Sequence, residues 1–232
     1  FYNLPISAID NCNDDRIKNF LRNEYTTFFS FIHSELRKKC FVLGNPEKSI
    51  LNKIQVLNIA RNIGFFVPKS IITTDAKEVR SFFKTSYLAK AINDLLEVEC
   101  DGKVYQQRIK YFHHIKDSPD DFSLSFFQEV INYVAEIRVF YLLGNCYTVV
   151  NYGIENETIW TRYNLPHSVC RKIIKLMNEI DLNTGSIDLL LTGKGDYYFL
   201  EVNPVGQFEW LNYYGNFFLE KKIAEELIKR GA

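Results

Sequence analysis

One stretch near the C-terminus, residues 185–204, most constrains how this chain can fold, because it has the pattern of a β-hairpin. Two apolar arms lie on either side of a glycine-containing turn, in the order Ile187–Leu191, Gly193-Lys194-Gly195-Asp196 and Tyr197–Val202. A two-residue loop at Lys194-Gly195 would place Asp188 directly opposite Glu201. Because side chains alternate along a strand, Asn203 would then share the face of Glu201. The hairpin is therefore predicted to present three polar side chains on one face.

The two acids of this hairpin make a metal site one interpretation of the pattern. Directly opposed carboxylates lie about 5 Å apart and repel each other, and a bound cation removes that repulsion. Asp188, Glu201 and Asn203 offer only oxygen ligands, which suits Mg²⁺ bound together with the phosphates of a substrate. A second interpretation stays open at this point, namely a surface hairpin that carries two acids by chance.

Composition bounds the class of protein. The 232 residues suffice for one large domain or two small ones, and 28 basic against 28 acidic residues give no net charge. This balance does not favour a nucleic-acid or membrane-surface binder, and no apolar run approaches the roughly 18 residues of a membrane span. The five scattered cysteines lack CxxC spacing and predict reduced thiols in a cytoplasmic protein. Because the sequence begins at Phe1, we expect it to be a fragment of a longer chain.

Hydrophobic periodicity predicts hairpins separated by helices, which indicates an α+β fold with largely antiparallel sheets. After Asp14-Asp15 the pattern predicts one long helix, or two broken ones, up to about Lys39, and further helices over residues 47–62, 166–180 and 217–229. The predicted hairpins cover residues 96–109, 137–152 and 187–202. We expect an N-terminal helical segment, residues 1–46, followed by two subdomains, residues 47–127 and 128–232.

A second motif, residues 128–138, runs from an apolar strand through a short connector into a hairpin strand. Its two acids, Glu129 and Glu136, lie seven residues apart, and here the chain resembles the ATP-grasp superfamily of carboxylate ligases. The resemblance implies two α+β subdomains with antiparallel sheets that grip ATP between them. It implies that the hinge strand meets the adenine edge and that Glu136 holds the ribose. The residues so assigned to the nucleotide are Gln128, Glu129, Val130, Asn132 and Glu136.

The same resemblance gives roles to the hairpin and to two lysines. In the superfamily an acid on one strand and a Glu-x-Asn on the next hold two Mg²⁺ ions, a pattern that Asp188, Glu201 and Asn203 match. Lys53 is similar to a helix-borne phosphate lysine, although a solvent-facing helix lysine is an equal alternative. Lys90 is similar to a strand lysine that contacts the α- and β-phosphates. A lysine on a mostly apolar strand needs a partner for its charge, which supports that role.

Within the superfamily the chain most resembles the graspetide synthetases, the peptide maturases of microviridin-like and grasp-with-spasm systems. The strings that carry the resemblance are Glu136-Ile-Arg-Val-Phe-Tyr141, Leu182-Asn-Thr-Gly-Ser-Ile-Asp188 and Phe199-Leu-Glu-Val-Asn-Pro-Val-Gly-Gln-Phe208. The resemblance implies an enzyme that activates Asp or Glu side chains of a ribosomal precursor peptide as acyl phosphates. Attack by Ser, Thr or Lys side chains then closes macrocyclic esters or amides. It also implies ATP, two Mg²⁺ ions and a homodimer.

Two arginines are assigned as catalytic cations by this resemblance. Arg138 follows Glu136 by two residues and shares its strand face, where a salt bridge with Glu136 is the alternative role. Arg162 lies in a segment where relatives place a phosphate-binding cation. The chain departs from the family after Lys90, because no glycine occurs before Gly102. We therefore expect the hairpin around Asp101-Gly102 to cover the phosphates.

Two other functions fit the sequence. One keeps the fold and adds a free amino acid to a peptide or protein carboxylate. The other is a nucleotide- or peptide-binding module without catalysis, which the complete set of Asp188, Glu201 and Asn203 disfavours. An aromatic cluster near the C-terminus would either pack the core or stack a substrate peptide, and it comprises Phe208, Trp210, Tyr213, Tyr214, Phe217 and Phe218.

Overall fold

A computed structural model describes residues 14–92, 97–100, 103–106, 109–113, 120–153 and 159–231. Helices and strands are interspersed along the chain. The helices are α1 (Asp15–Lys39), a short 3₁₀ helix (Pro46–Lys48), α2 (Lys53–Ile63), α3 (Ala76–Phe82), α4 (His167–Glu179), α5 (Glu209–Gly215) and α6 (Leu219–Gly231). The strands are β1 (Ser70–Thr73), β2 (Tyr87–Lys90), β3 (Glu97–Cys100), β4 (Lys103–Gln106), β5 (Lys110–Phe112), β6 (Ser125–Glu129), β7 (Ala135–Leu142), β8 (Asn145–Asn151), β9 (Trp160–Arg162), β10 (Thr184–Leu191) and β11 (Tyr197–Asn203).

The strands form two main sheets. The smaller sheet has the order β1-β6-β2-β5, and the larger has the order β11-β10-β7-β8-β9. Strands β3 and β4 pair separately. All pairings between these named strands are antiparallel, and a single parallel bridge joins Phe66 to Tyr198 of β11. The predicted α+β class is confirmed. The turn of the β3–β4 hairpin, Asp101-Gly102, lies outside the described residues.

The larger sheet is covered differently on its two faces. One face packs against α2 and α4 in the main core, with Ile173, Ile187 and Phe199 fully buried. The other face meets a second core that includes Phe140 of β7 and Leu211 of α5. This second core covers only part of that face. The uncovered part of this face carries charged side chains. A charged surface of the larger sheet therefore lies next to the apolar second core.

Helix α2 begins later than predicted. The Asn52 side chain caps it by accepting hydrogen bonds from the N–H groups of Ile54 and Gln55, at 3.1 Å each. Residues 46–48 form a separate 3₁₀ turn instead of the first helical turn. Gly64 ends the helix with a φ of 97°, a conformation that favours glycine. The cap places Lys53 in the first turn of the helix.

The hairpin of β7 and β8 is confirmed. Leu143 and Gly144 connect the strands with φ values of 48° and 91°. Positive φ at both loop positions is the geometry of a type I′ turn, whose twist matches that of the flanking strands. The turn sets the register in which Glu136 pairs with Asn151 and Arg138 pairs with Val149.

The predicted subdomain division at residues 127 and 128 stays a prediction. Strand β6, Ser125–Glu129, lies across that division and pairs within the smaller sheet. The chain passes from the smaller to the larger sheet between Glu129 and Ala135. This passage coincides with the connector of the predicted nucleotide motif.

The predicted long N-terminal helix is confirmed as α1. The structure describes every residue of α1, and none of them is buried. Within the part of the chain that the structure describes, no helix is both long and apolar enough to cross a membrane.

Candidate active site

A cavity of about 730 Å³ lies where the two sheets meet, and six charged side chains line it. Lys90 comes from the smaller sheet, whereas the other five come from α2 and the larger sheet. These side chains are Lys53, Lys90, Glu136, Arg138, Asp188 and Glu201. All six were assigned to the site from the sequence, and the fold brings them together from positions up to 148 residues apart in the chain.

The predicted pairing of Asp188 with Glu201 is confirmed, but the predicted loop is wrong. The Thr192 N–H donates to the Asp196 carbonyl oxygen at 3.0 Å, and the Gly195 N–H donates to that of Thr192 at 2.9 Å. Residues 193–195 therefore form a three-residue loop in place of the two-residue one. Gly195 has a φ of 84°, as expected for the last position of such a loop.

A bulge at Leu200 restores the pairing of the two acids. Leu189 pairs with Phe199, yet Asp188 pairs with Glu201, so Leu200 is one extra residue on β11. Phe199 points into the main core and is fully buried. Without the extra residue, alternation would turn Glu201 toward that core as well. The bulge turns it into the cavity, opposite Asp188.

Asp188 is directly opposite Arg138 as well as Glu201. The Arg138 guanidinium donates to the Asp188 carboxylate through Nη1, and the side chains are 16% and 27% exposed. Arg138 therefore pairs with Asp188, not with Glu136 as in the alternative considered from sequence. Burial raises the pKa of Asp188 above its usual range, Arg138 opposes the shift, and Glu201 and Glu136 add to it. A cation bound beside Asp188 would favour its ionised form.

Lys90 is a half-buried cation that faces this acid pair. Burial lowers its pKa, the Glu201 carboxylate opposes that shift, and Lys53 adds to it. Its Nζ lies 5.4 Å from the centre of the Phe126 ring. Lys53 and Lys90 therefore repel each other within one cavity, and a bound anion would relieve that repulsion.

Glu136 is held by a tyrosine that sequence reasoning missed. The Tyr133 hydroxyl donates to Glu136 Oε1 at 2.8 Å, and this bond is the main cause that raises the pKa of Tyr133 to about 12. A second cavity, of about 410 Å³, lies between the start of β2 and the segment that connects β6 to β7. Its lining includes Val130, Asn132 and Tyr133. Tyr133 precedes the predicted ribose acid by three residues, and no simple pattern marks it.

Gln128 and Glu129 make structural contacts. Gln128 is 3% exposed, and its Nε2 donates to Ser70 Oγ at 3.1 Å. Glu129 Oε1 accepts from the backbone N–H of Lys69 at 2.8 Å. Among the residues described here, neither side chain lines either cavity. Both fix the edge of the smaller sheet beside the connector, and their contact with a nucleotide stays a prediction.

Asn203 lies on the same hairpin as the two acids, two residues after Glu201, but its side chain caps a turn. It pairs with Ser186, and its Oδ1 accepts from the N–H groups of Val205 and Gly206 at 3.1 and 3.2 Å. In the described structure its side chain does not line the large cavity. A role as metal ligand, which stays a prediction, requires Oδ1 to give up at least one of these bonds.

Arg162 lies at the far end of the same cross-strand row as the acids. This row crosses all five strands of the larger sheet through Glu201, Asp188, Arg138, Val149 and Arg162. Arg162 is exposed, and its guanidinium stacks 4.8 Å from the centre of the Phe217 ring. Within the described residues it is not part of the cavity lining, so its predicted catalytic role requires movement or a substrate that reaches it.

Two tryptophans, Trp160 and Trp210, also line the cavity. Sequence reasoning missed Trp160, whereas Trp210 belongs to the aromatic cluster for which core packing and peptide stacking were both predicted. For Trp160 a signal existed, because it precedes Arg162 by two residues and shares its strand face. Trp210 lies in α5, a seven-residue helix that was not predicted. Among the described residues, no three His, Cys, Asp or Glu side chains group as a metal site. The described residues that the cavity could offer to a metal ion are thus the opposed acids Asp188 and Glu201, and Asn203 as a further ligand stays a prediction.

We expect Gly206→Ala to destabilise the turn that positions Asn203. Gly206 has a φ of 40°, and an added Cβ would lie 3.0 Å from Ser186 N and 3.1 Å from Ser186 Oγ. The strained backbone and this contact should together lower the free energy of unfolding by about 1–3 kcal/mol. Chemical denaturation measures this, with Gly153→Ala as control. Gly153 also has a positive φ, 62°, but a Cβ there meets no described atom within 4 Å. Equal losses in both variants would contradict the expectation.

Comparison with known proteins shows similarity at the level of structure. No protein-family model matches the chain, and no curated protein does either. The macrocyclase MdnC from Microcystis aeruginosa MRC, solved with precursor peptide MdnA, has a TM-score of 0.80 and 22% identity over 94% of this chain and 73% of its own. A Chryseobacterium gregarium RiPP-associated ATP-grasp ligase was solved with ADP and a leader and core peptide. It has a TM-score of 0.84 and 22% identity over 100% of this chain and 75% of its own.

A third similar structure is the ATP-grasp ligase PsnB with a precursor variant, Mg and ADP. It has a TM-score of 0.79 and 18% identity over 98% of this chain and 75% of its own. The chain therefore has the ATP-grasp fold, as predicted, with its two antiparallel sheets on either side of the cavity.

Proposed function

We propose that this protein is an ATP-dependent carboxylate ligase that cross-links side chains of a ribosomal precursor peptide. The observation that carries the proposal is the cavity between the two sheets, where two lysines face two opposed carboxylates. Carboxylate and ATP are both anions, so a ligase must supply positive charge to bring them together. Lys53 and Lys90 supply it from the protein, and the acid pair supplies a place for cations.

The side chains present fit Mg²⁺. Asp188 and Glu201 are opposed on neighbouring strands, and burial raises the pKa of Asp188. A bound cation would oppose that shift by favouring the ionised acid. Asp188, Glu201 and Asn203 would hold the ions, which we expect to be two. When bound, Mg²⁺ neutralises charge on the transferred phosphoryl group. Arg138 would then exchange part of its contact with Asp188 for contact with the reacting groups.

For the nucleotide we propose the two neighbouring cavities. Lys53 and Lys90 would hold the phosphates in the larger one, and Glu136 would hold the ribose at the boundary between the two. Its present partner, the Tyr133 hydroxyl, would yield to a ribose hydroxyl that donates in the same way. The connector residues Val130 and Asn132 would then meet the adenine edge in the smaller cavity, beside Gln128 and Glu129.

The proposed reaction has two steps. An oxygen of an Asp or Glu side chain of the peptide attacks the γ-phosphorus of ATP, and the bond to ADP breaks. A Ser or Thr hydroxyl or a Lys amine then attacks the acyl carbon, loses its proton, and releases phosphate. Arg138, and Arg162 if the substrate reaches it, would stabilise negative charge in both steps. The enclosure between the sheets would protect the acyl phosphate from water.

The proposed partner is a precursor peptide, as in the structures of MdnC with MdnA and of the Chryseobacterium gregarium ligase with a leader and core peptide. A homodimer and a cytoplasmic location are further parts of the proposal. The absence of net charge agrees with a partner that is neither a nucleic acid nor a membrane surface.

The test is peptide-dependent ATP turnover. The substrate would be the peptide encoded beside the gene, and the assay would combine release of ADP with the mass of the peptide product. We expect ADP to form only with peptide and Mg²⁺, and the peptide to lose the mass of one water per cross-link. A mass gain that matches a supplied free amino acid would identify the other type of ligase. Nucleotide binding without turnover, unchanged by Glu201→Ala, would identify a non-catalytic module.

A further inference from the structure

Four aromatic side chains form a continuous series that leaves the large cavity along α5. Trp160 contacts Trp210 with ring centres 5.0 Å apart, Trp210 contacts Tyr214 at 6.4 Å, and Tyr214 contacts Tyr213 at 5.3 Å. All three contacts are edge-to-face, the arrangement that aromatic pairs favour. We call Trp160, Trp210, Tyr214 and Tyr213 the aromatic ladder.

The exposure of the aromatic ladder rises from its inner to its outer end. Trp160 and Trp210 line the cavity and are half-buried. Tyr214 is 42% exposed and Tyr213 is 81% exposed. Core packing accounts for the two tryptophans, which lie against the second core. It does not account for Tyr213, whose described ring contact is with Tyr214 alone.

Contacts of Leu211 and Asn212 with the rest of the protein hold helix α5 in place, and this helix carries the outer residues of the ladder. Leu211 is fully buried in the second core. The Asn212 side chain donates to Glu220 Oε2 at 2.6 Å and accepts from the Leu219 N–H at 3.0 Å. Aromatic side chains on a helix held in this way lose little conformational entropy when they bind a partner.

The inner end of the ladder reaches the charged groups of the site. The Arg138 guanidinium lies 6.0 Å from the centre of the Trp210 ring, and the same guanidinium is paired with Asp188. A peptide whose acidic side chain enters the cavity would therefore have its neighbouring residues beside the ladder. Aromatic surfaces of this kind contribute much of the affinity at peptide and protein interfaces.

We propose that the aromatic ladder binds the substrate peptide next to the carboxylate that is activated, and that it selects an apolar or aromatic side chain there. This inference rests on the proposed function, since it assigns the peptide of that same site. The ladder carries no charge, so it favours a side chain that buries apolar surface over a polar or acidic one. It would fix which acid of the peptide reaches the cavity.

The experiment uses the two tryptophans of the chain, both of which belong to the ladder. Their fluorescence is titrated with two otherwise identical acetylated and amidated peptides in which either phenylalanine or serine precedes a single glutamate. We expect the phenylalanine peptide to bind at least about fivefold more tightly, the effect of one aromatic contact. Tyr213→Ala should reduce this preference to less than about twofold. Tyr25→Ala should retain it, because Tyr25 is 38% exposed on helix α1 and its described ring contact is with Phe29 of the same helix.

Three results would overturn the proposal. They are equal affinity of the wild-type protein for both peptides, an unchanged preference in Tyr213→Ala, and no fluorescence change with either peptide. Nucleotide binding is measured separately, by calorimetry with Mg²⁺ and ATP and without peptide. No preference together with intact nucleotide binding would reject the ladder alone. A clear preference without nucleotide binding would reject the ligase function and leave the ladder as a peptide site.

Discussion

Replacing Glu201 by glutamine is expected to lower Mg²⁺-dependent ATP turnover by about a hundredfold to a thousandfold. Glutamine keeps the shape of the side chain but removes one of two opposed negative charges in the cavity. Without that charge the metal ions lose part of the attraction that holds them beside Asp188, and the phosphates lose the cations that would offset their charge. The measurement is the steady-state release of ADP with the peptide substrate at saturating ATP.

The same substitution should leave the protein folded. Opposed carboxylates destabilise a hairpin, so the melting temperature of Glu201→Gln without Mg²⁺ should equal or exceed that of the wild-type protein. Asp196→Asn is the matched control, because Asp196 lies in the same hairpin but at its loop end, outside the described lining of the cavity. An inactive variant that also melts much earlier would indicate a structural role for Glu201. An active one would exclude it from the site.

Replacing Lys90 by methionine is expected to weaken ATP binding by about a hundredfold, the effect of losing a close charge pair in a half-buried site. Lys90 faces Lys53 and Glu201 in the cavity, and burial already lowers its pKa. A polyphosphate would supply the negative charge that this cation lacks. Calorimetric titration with ATP and Mg²⁺ measures the loss, and Lys84→Met serves as control because Lys84 is exposed. Equal affinities of the wild-type protein and Lys90→Met would contradict the assignment.

The lowered pKa of Lys90 also gives this residue a contribution of known sign to the pH dependence of stability. Below the folded-state pKa, both folded and unfolded forms bind the proton, and the cost of burying the charge is fully present. Between the folded-state pKa and the unfolded value, the unfolded form binds more protons, so folding gains stability as pH rises. Lys90→Met should therefore be more stable than the wild-type protein at neutral pH. This difference in unfolding free energy should shrink toward pH 10.5, the usual lysine pKa.

The hairpin shows what the sequence could and could not predict. The opposition of Asp188 and Glu201 followed from turn residues and alternation, and it is correct. The structure produces this pairing differently from the prediction. The three-residue loop shifts the register of β11 against β10 by one residue, and the bulge at Leu200 shifts it back by one. Sequence patterns specify strands and turn residues well, but a bulge depends on which side chains fill the core. Here the burial of Phe199 decides it.

The convergence of the charged side chains could be predicted only through family resemblance. Lys53, Lys90 and Asp188 lie far apart in the chain, and periodicity alone says nothing about contacts between two sheets. The partner of Arg138 could not be predicted at all. Its choice of Asp188 over Glu136 depends on the register of β7 against β10, which becomes known only when both strands are placed.

The central claim, that Asp188 and Glu201 hold Mg²⁺ together with the nucleotide, is tested most directly by calorimetric titration of ATP with Mg²⁺ and with EDTA. The wild-type protein and Asp196→Asn should bind ATP at least about tenfold more tightly with Mg²⁺, and Glu201→Gln should lose that enhancement. An equal enhancement by Mg²⁺ in Glu201→Gln and in the wild-type protein would contradict the claim.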